Sequence, residues 1–200
     1  MRNPYVPRNT VRKEVGAYEL GIVAEYAGLN DHEKVLPSAT GQGVAFAAYL
    51  LDQEVLQEVA WGNTEHLGPG ADVLHKAKLK HLHFFGVSSK RVVSVTSNNT
   101  IQEVTEIHKV RPDVKSILLI CDGPHARRYR RLLKYFYPDA TIDLLTFRAL
   151  WNENHPSPWQ RSRFKWWTIN IVYHTIMLCF AYTGQMCHFV EKFGKKMHVN

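Results

Sequence analysis

Cysteine is scarce in this chain: three among 200 residues, Cys121, Cys179 and Cys187. They cannot all pair, and none stands in a Cys-x-x-Cys or Cys/His ligand spacing, which excludes a disulfide scaffold and a zinc knuckle. Such sparing use fits a reducing compartment. Also missing is an apolar run near the start, where Arg2, Asn3, Pro4 and Arg8 stand instead. No cleaved export signal is read there, and a cytoplasmic location is expected. There is no Walker A loop, no complete Gly-x-Gly-x-x-Gly and no Gly-x-Ser-x-Gly elbow. The eleven histidines are scattered, so no metal site is expected. Acidic residues are short as well: Lys+Arg 25 against Asp+Glu 18 leaves a formal +7. That surplus favours phosphates, nucleic acid, anionic lipid heads or other acidic partners, without choosing among them.

What is present is enough for a core. Hydrophobic residues make up 45% of the chain, which excludes disorder as a description of the whole. With about 150 residues as the usual domain size, the length fits one domain over residues 1–200. Runs at 20–26 (LGIVAEY), 55–61 (VLQEVAW), 91–96 (RVVSVT), 116–121 (SILLIC) and 141–147 (TIDLLTF) read as short strands. Ile117, Leu118, Leu119 and Ile120 are uninterrupted apolar sequence, the mark of a central strand covered on both faces. Between the runs, Val44, Ala47, Ala48 and Leu51 repeat at helical spacing, as do Tyr129, Leu132, Leu133 and Phe136. Residues 73–85 and 100–110 show weaker helical patterns. Alternating strand and helix predicts parallel pairing with right-handed crossovers. The expected fold is α/β: a three-layer Rossmann-like sandwich, its mostly parallel sheet of about five strands, with a long C-terminal helix. Residues 1–16 read as an N-terminal extension and 148–165 as a Pro-containing loop.

The C-terminal helix is expected over 166–193. Residues 166–190 form the least polar stretch and are long enough to span a bilayer, with Arg161, Arg163 and Lys165 before them and Lys192, Lys195 and Lys196 after. Yet Asn170, His174, Ala181, Gln185, His188 and Lys192 step along one helical face. The favoured expectation is a helix packed on the sheet or on a partner subunit of a homo-oligomer, with that polar edge in water. The rival is contact with a membrane through Trp166 to Val190.

In an open parallel sheet, ligands bind beyond the carboxyl ends of the strands, near helix N-termini. Two loops fall in such places and are expected side by side at the ends of neighbouring strands. One is Ser97-Asn98-Asn99-Thr100; the other is Asp122-Gly123-Pro124-His125-Ala126-Arg127-Arg128. Gly123 permits a tight turn, Pro124 suits a first helical turn, and His125 and Arg128 lie one turn apart on one face. An imidazole beside a guanidinium at a helix start suits a phosphate or carboxylate and a proton transfer. The plainer alternative has Ser97 or Asn99 as a helix cap and His125 and Arg128 in solvent. Ser38-Ala39-Thr40-Gly41-Gln42-Gly43 reads as a loop before the first helix, a weaker anion cradle. Arg127, Arg128, Arg130, Arg131 and Lys134 read first as a solvated charged face and only second as a polyanion patch.

Residues 86–147 resemble the ElyC/SanA/YdcF family of Rossmann-like domains. The resemblance rests on Gly86-Val87 ending a helix, the strand at 91–96, Ser97-Asn98-Asn99-Thr100 opening a helix, the strand at 116–121, and His125-Ala126-Arg127-Arg128 opening the next. The chain departs from the family pattern earlier. It has Ala27-Gly28 after the first strand, no Arg between Thr40 and Leu51, Trp61-Gly62-Asn63 in place of paired glycines, and His75-Lys76 where an acid is usual. The resemblance implies a ligand of S-adenosylmethionine or nucleotide type, since one member has been described as binding S-adenosylmethionine; others are linked to cell-envelope assembly. The expected function is binding of a small anionic ligand by Ser97, Asn99, Thr100, Asp122 and Gly123. In a reaction His125 would be the acid/base and Arg128 the stabiliser of negative charge. A non-catalytic envelope or membrane-surface factor is the rival, and nucleic-acid binding ranks last because no recognised module accompanies the charge.

Overall fold

The computed structural model describes residues 10–24, 38–63, 71–148 and 161–194. Its five strands are β1 (Tyr18–Val23), β2 (Leu56–Asn63), β3 (Val92–Thr96), β4 (Ser116–Asp122) and β5 (Thr141–Phe147). All are parallel, in the order β3-β2-β1-β4-β5. The helices are α1 (Ser38–Asp52), α2 (Ala71–Phe84), α3 (Thr100–Val110), α4 (Gly123–Phe136), α5 (Arg163–Tyr182) and α6 (Met186–Gly194). The α/β Rossmann-like fold expected from the alternating pattern is therefore the one observed.

Periodicity explains the layers. Successive strand residues face opposite sides. In β4, Ile117 and Leu119 join the cluster of α3, α4, α5 and α6, while Leu118 and Ile120 join that of α1 and α2. All four are fully buried. At about 1.5–3 kcal/mol for each such side chain, this one strand supplies a large share of the driving force. Val44, Ala47 and Leu51 bring α1 onto the face of Leu118 and Ile120, and Val104, Ile107, Leu132 and Leu133 bring α3 and α4 onto that of Ile117 and Leu119. On the outer edge, Thr10 lies against β5: its N–H donates to Leu144 O and its Oγ1 accepts from Leu144 N–H, both at 3.0 Å. Arg12 and the Tyr18 hydroxyl both donate to Asp143 on that strand. The last part of the expected N-terminal extension is thus an edge cover.

The strand order reverses between β1 and β4, which places the ligand crevice of such sheets at their carboxyl ends. This corrects one expectation. β3 and β4 are not neighbours, because β2 and β1 lie between them. The loops that follow them still meet, since α3 crosses back over the sheet and packs on α4. Residues 38–43 are likewise not a loop: Ser38-Ala39-Thr40-Gly41-Gln42-Gly43 form the opening turns of α1. Ala27-Gly28 and most of the loop at 148–165 lie outside the described residues.

The C-terminal segment differs most from expectation. It is two helices, broken at Gly184, whose φ of +71° an L side chain rarely adopts. Gly184 N–H donates to Ala181 O at 3.2 Å and Gln185 N–H to Phe180 O at 2.7 Å, a Schellman cap. Gly86 and Val87 end α2 with the same pair of bonds, to His83 O and Leu82 O. The polar stripe splits at this break. Gln185 just before α6 and His188 and Lys192 on it are exposed, but Asn170 and His174 of α5 turn inward, Asn170 being 2% exposed. The cause is the partner surface. α5 packs on α4, whose Arg127, Arg128 and Arg131 cannot be covered by apolar side chains, so the polar row of α5 takes that side. Trp166 and Met177 are buried inward, while a second apolar row points outward: Phe164 is 79% exposed, Ile171 52%, Val172 46% and Tyr182 95%. Among the described residues no helix is long and apolar enough to cross a membrane.

Candidate functional site

Each half of the site begins at a helix N-terminus. At α3, Asn99 takes the extended cap conformation and its Oδ1 accepts from Gln102 N–H at 2.9 Å. Gln102 Oε1 returns a bond to Asn98 N–H at 2.9 Å, much like a capping box. The Asn99 amide also donates to Phe193 O of α6 at 3.4 Å. Asn99 is therefore engaged in holding the helix end and docking α6. Ser97 is buried, its N–H donates to Asn63 O at 3.0 Å, and its hydroxyl packs beside Gly62. Thr100 is the member of this loop that reaches the other half.

At α4 the chain passes from strand to helix with no intervening loop, Asp122 ending β4 and Gly123 starting α4. Pro124 occupies the first turn, where the missing N–H costs nothing. Asp122 sits at the cap position, but its carboxylate does not bond the helix; Oδ2 accepts from Trp166 Nε1 at 2.7 Å. Gly123 is buried at the junction. Trp166, at the start of α5, also sets its ring edge against His125, centroids 5.6 Å apart. Asp122 and Gly123 thus anchor the C-terminal helices and the strand end.

Thr100, His125 and Arg128 come together. Arg128 Nη2 lies 2.8 Å from His125 Nε2 and donates to Thr100 Oγ1 at 3.2 Å; Thr100 Oγ1 is 3.1 Å from the same imidazole nitrogen. A guanidinium only donates, so His125 Nε2 presents its lone pair and the ring proton sits on Nδ1. His125 is 1% exposed. Burial first, and the Arg128 charge second, hold the imidazole well below its ordinary range, so it is neutral at neutral pH. Arg128 and Thr100 are half-buried, and the guanidinium stacks over Tyr173 of α5, 5.2 Å from the ring centroid. The solvated alternative for His125 is corrected: the helix face it occupies is covered by Trp166 and Tyr129.

A second buried polar group stands at the end of β2. Lys78 is 0% exposed; its Nζ donates to Gly62 O at 2.5 Å and Asn63 Oδ1 at 3.3 Å. Gly62 N–H donates to Glu103 Oε1 at 2.9 Å, and Glu103 is 1% exposed. Motif reading misses Lys78. Its one signal is position: it stands four residues from both Leu74 and Leu82 in the buried row of α2.

In comparisons with known proteins, the chain matches no protein-family model, no curated protein and no solved structure.

Proposed function

We propose that this chain is a Rossmann-like domain that binds a small anionic, nucleotide-type ligand at the carboxyl ends of its strands. The observation that carries the reading is Arg128, gathered with Thr100 and His125 where two helix N-termini converge. Thr40 supports it from the helix that follows β1. Its hydroxyl is buried in the first turn of α1 with no hydrogen-bond partner among the described residues. The motif order over residues 86–147 supports placing the chain as a divergent ElyC/SanA/YdcF member. S-adenosylmethionine, which that resemblance implies, carries one carboxylate for Arg128 and, when bound, supplies a transferable methyl group. An anion at Arg128 draws the guanidinium from the imidazole and adds negative charge beside it; both raise the proton affinity of His125. His125 is then the acid/base of any reaction there, and Arg128 the stabiliser of developing charge.

The test is calorimetric titration with S-adenosylmethionine and with ADP. Arg128→Ala is expected to cost roughly 1.5–3 kcal/mol of binding, about one to two powers of ten in affinity. Binding by neither compound, or an unchanged affinity in Arg128→Ala, sinks the proposal.

The outward row of α5 favours a second reading, a membrane-surface factor. Phe164, Ile171, Val172 and Tyr182 are exposed, and Arg161, Arg163 and Lys165 stand exposed at one end. Sedimentation with phosphatidylserine vesicles measures this. The parent chain is expected to co-sediment and Ile171→Glu/Val172→Glu to stay in the supernatant; equal behaviour of the two rejects it.

A further inference from the structure

A cavity of about 680 Å³ opens between α4, α5 and the edge strand β5, apart from the cluster at Thr100. Its wall is built from Arg127, Arg130, Arg131 and Lys134 of α4, with His174 of α5 facing them. Thr10 and Leu144 form the remaining side. We propose that this cavity binds an oligophosphate, a small molecule carrying two or more phosphates in a row.

Charge is the first argument. Among the described residues no Asp or Glu lines the cavity and no carboxylate pairs with Arg130 or Arg131. Asp143 on β5 is engaged elsewhere, by Arg12 at 3.1 Å and the Tyr18 hydroxyl at 2.9 Å. His174 registers the positive field beside it: burial, then Arg131, Arg127 and Arg128, hold it below its ordinary range.

Helix chemistry is the second argument. The four basic residues stand at i, i+3, i+4 and i+7, so every neighbouring pair along this face is like-charged and weakens the helix. Lys134 has a structural task, donating to Ala140 O at 2.5 Å in the last turn, where a cation suits the helix end. Arg130 and Arg131 have no such task among the described residues. Their planar forks match phosphate oxygens two at a time.

Shape selects the class. The volume falls within the range of about 300–1,000 Å³ usual for small-ligand sites. A nucleic-acid strand needs an extended groove with aromatic platforms, and among the described residues His174 is the one ring on this wall.

The experiment titrates the full chain calorimetrically with inorganic tripolyphosphate and with ATP, at fixed salt. Saturable binding is expected, weakened by about a hundredfold or more in Arg130→Ala/Arg131→Ala. A control pair on the opposite side of the sheet, Lys76→Ala/Lys80→Ala, removes the same charge and is expected to stay within about threefold of the parent, as weak general electrostatics require. Thermal melts confirm that both variants fold. ATP binding more tightly than tripolyphosphate identifies a nucleotide as the source of the phosphates; equal affinities identify the phosphate chain itself. No saturable binding of either probe, equal losses in the two variants, or a single-stranded oligonucleotide displacing tripolyphosphate overturns the proposal.

Discussion

Taking the protein from pH 7 to pH 5 is expected to cost folding stability through His125, up to about 2 kcal/mol. The folded imidazole is held well below its ordinary value of 6.5, by burial and then by Arg128. Below that value the unfolded ring takes a proton and the folded ring does not, so the unfolded state binds more protons. Stability is therefore present above about pH 6.5 and is lost as pH falls, by about 1.4 kcal/mol per unit, until the folded value is reached. His75 and His174 shift in the same direction but are partly exposed, so their contributions are smaller. Urea unfolding at the two pH values, for the parent and for His125→Gln, isolates the ring. Gln places an amide oxygen near the position of Nε2, keeps an acceptor for Arg128 and does not titrate. The difference between pH 7 and pH 5 is expected to shrink in the variant, by up to about 2 kcal/mol. The same difference in both proteins would mean that His125 is protonated in the fold.

The sheet was legible because its signal is local and repeated. An uninterrupted run at Ile117–Ile120 has few alternatives to a buried central strand, and the other runs fall within two residues of their observed starts. Thr100, His125 and Arg128 were also within reach, since a strand followed by a capped helix fixes where a first-turn side chain lies. What could not be read was anything set by partners distant in sequence. The orientation of α5 depends on the arginines of α4, and a single helix periodicity does not say which face meets them. Asp122 and Asn99 look like ligand groups in sequence, but Trp166 and Phe193 occupy them from segments that follow some forty and ninety positions later. Strand order was hidden too: β3 precedes β4 in the chain, while pairing places two strands between them.

Gly62→Ala is expected to destabilise the fold by about 3 kcal/mol, a loss of roughly 6–12 °C in Tm for a chain of this size. A Cβ at this position would fall 2.3 Å from Ser97 Oγ and 3.0 Å from both Cγ and Oε1 of Glu103. Glu103 cannot simply withdraw, because its Oε1 accepts from Gly62 N–H at 2.9 Å, and a buried carboxylate that loses a donor is costly. Lys78 fixes the other side of the same peptide through Gly62 O. Ser97 contributes the shortest contact, and removing its hydroxyl leaves only the tight approach to Glu103. Gly62→Ala/Ser97→Ala is therefore expected to recover about half of the loss, while Ser97→Ala alone stays within about 1 kcal/mol of the parent. Thermal and urea unfolding of the three variants measure the cycle. A neutral Gly62→Ala, or a double variant no more stable than it, removes the case for a rigid contact here. The cycle also separates two roles for Ser97. As a packing residue behind β2, it is expected to leave ligand affinity unchanged in Ser97→Ala, whereas a ligand-binding hydroxyl would lose affinity while stability held.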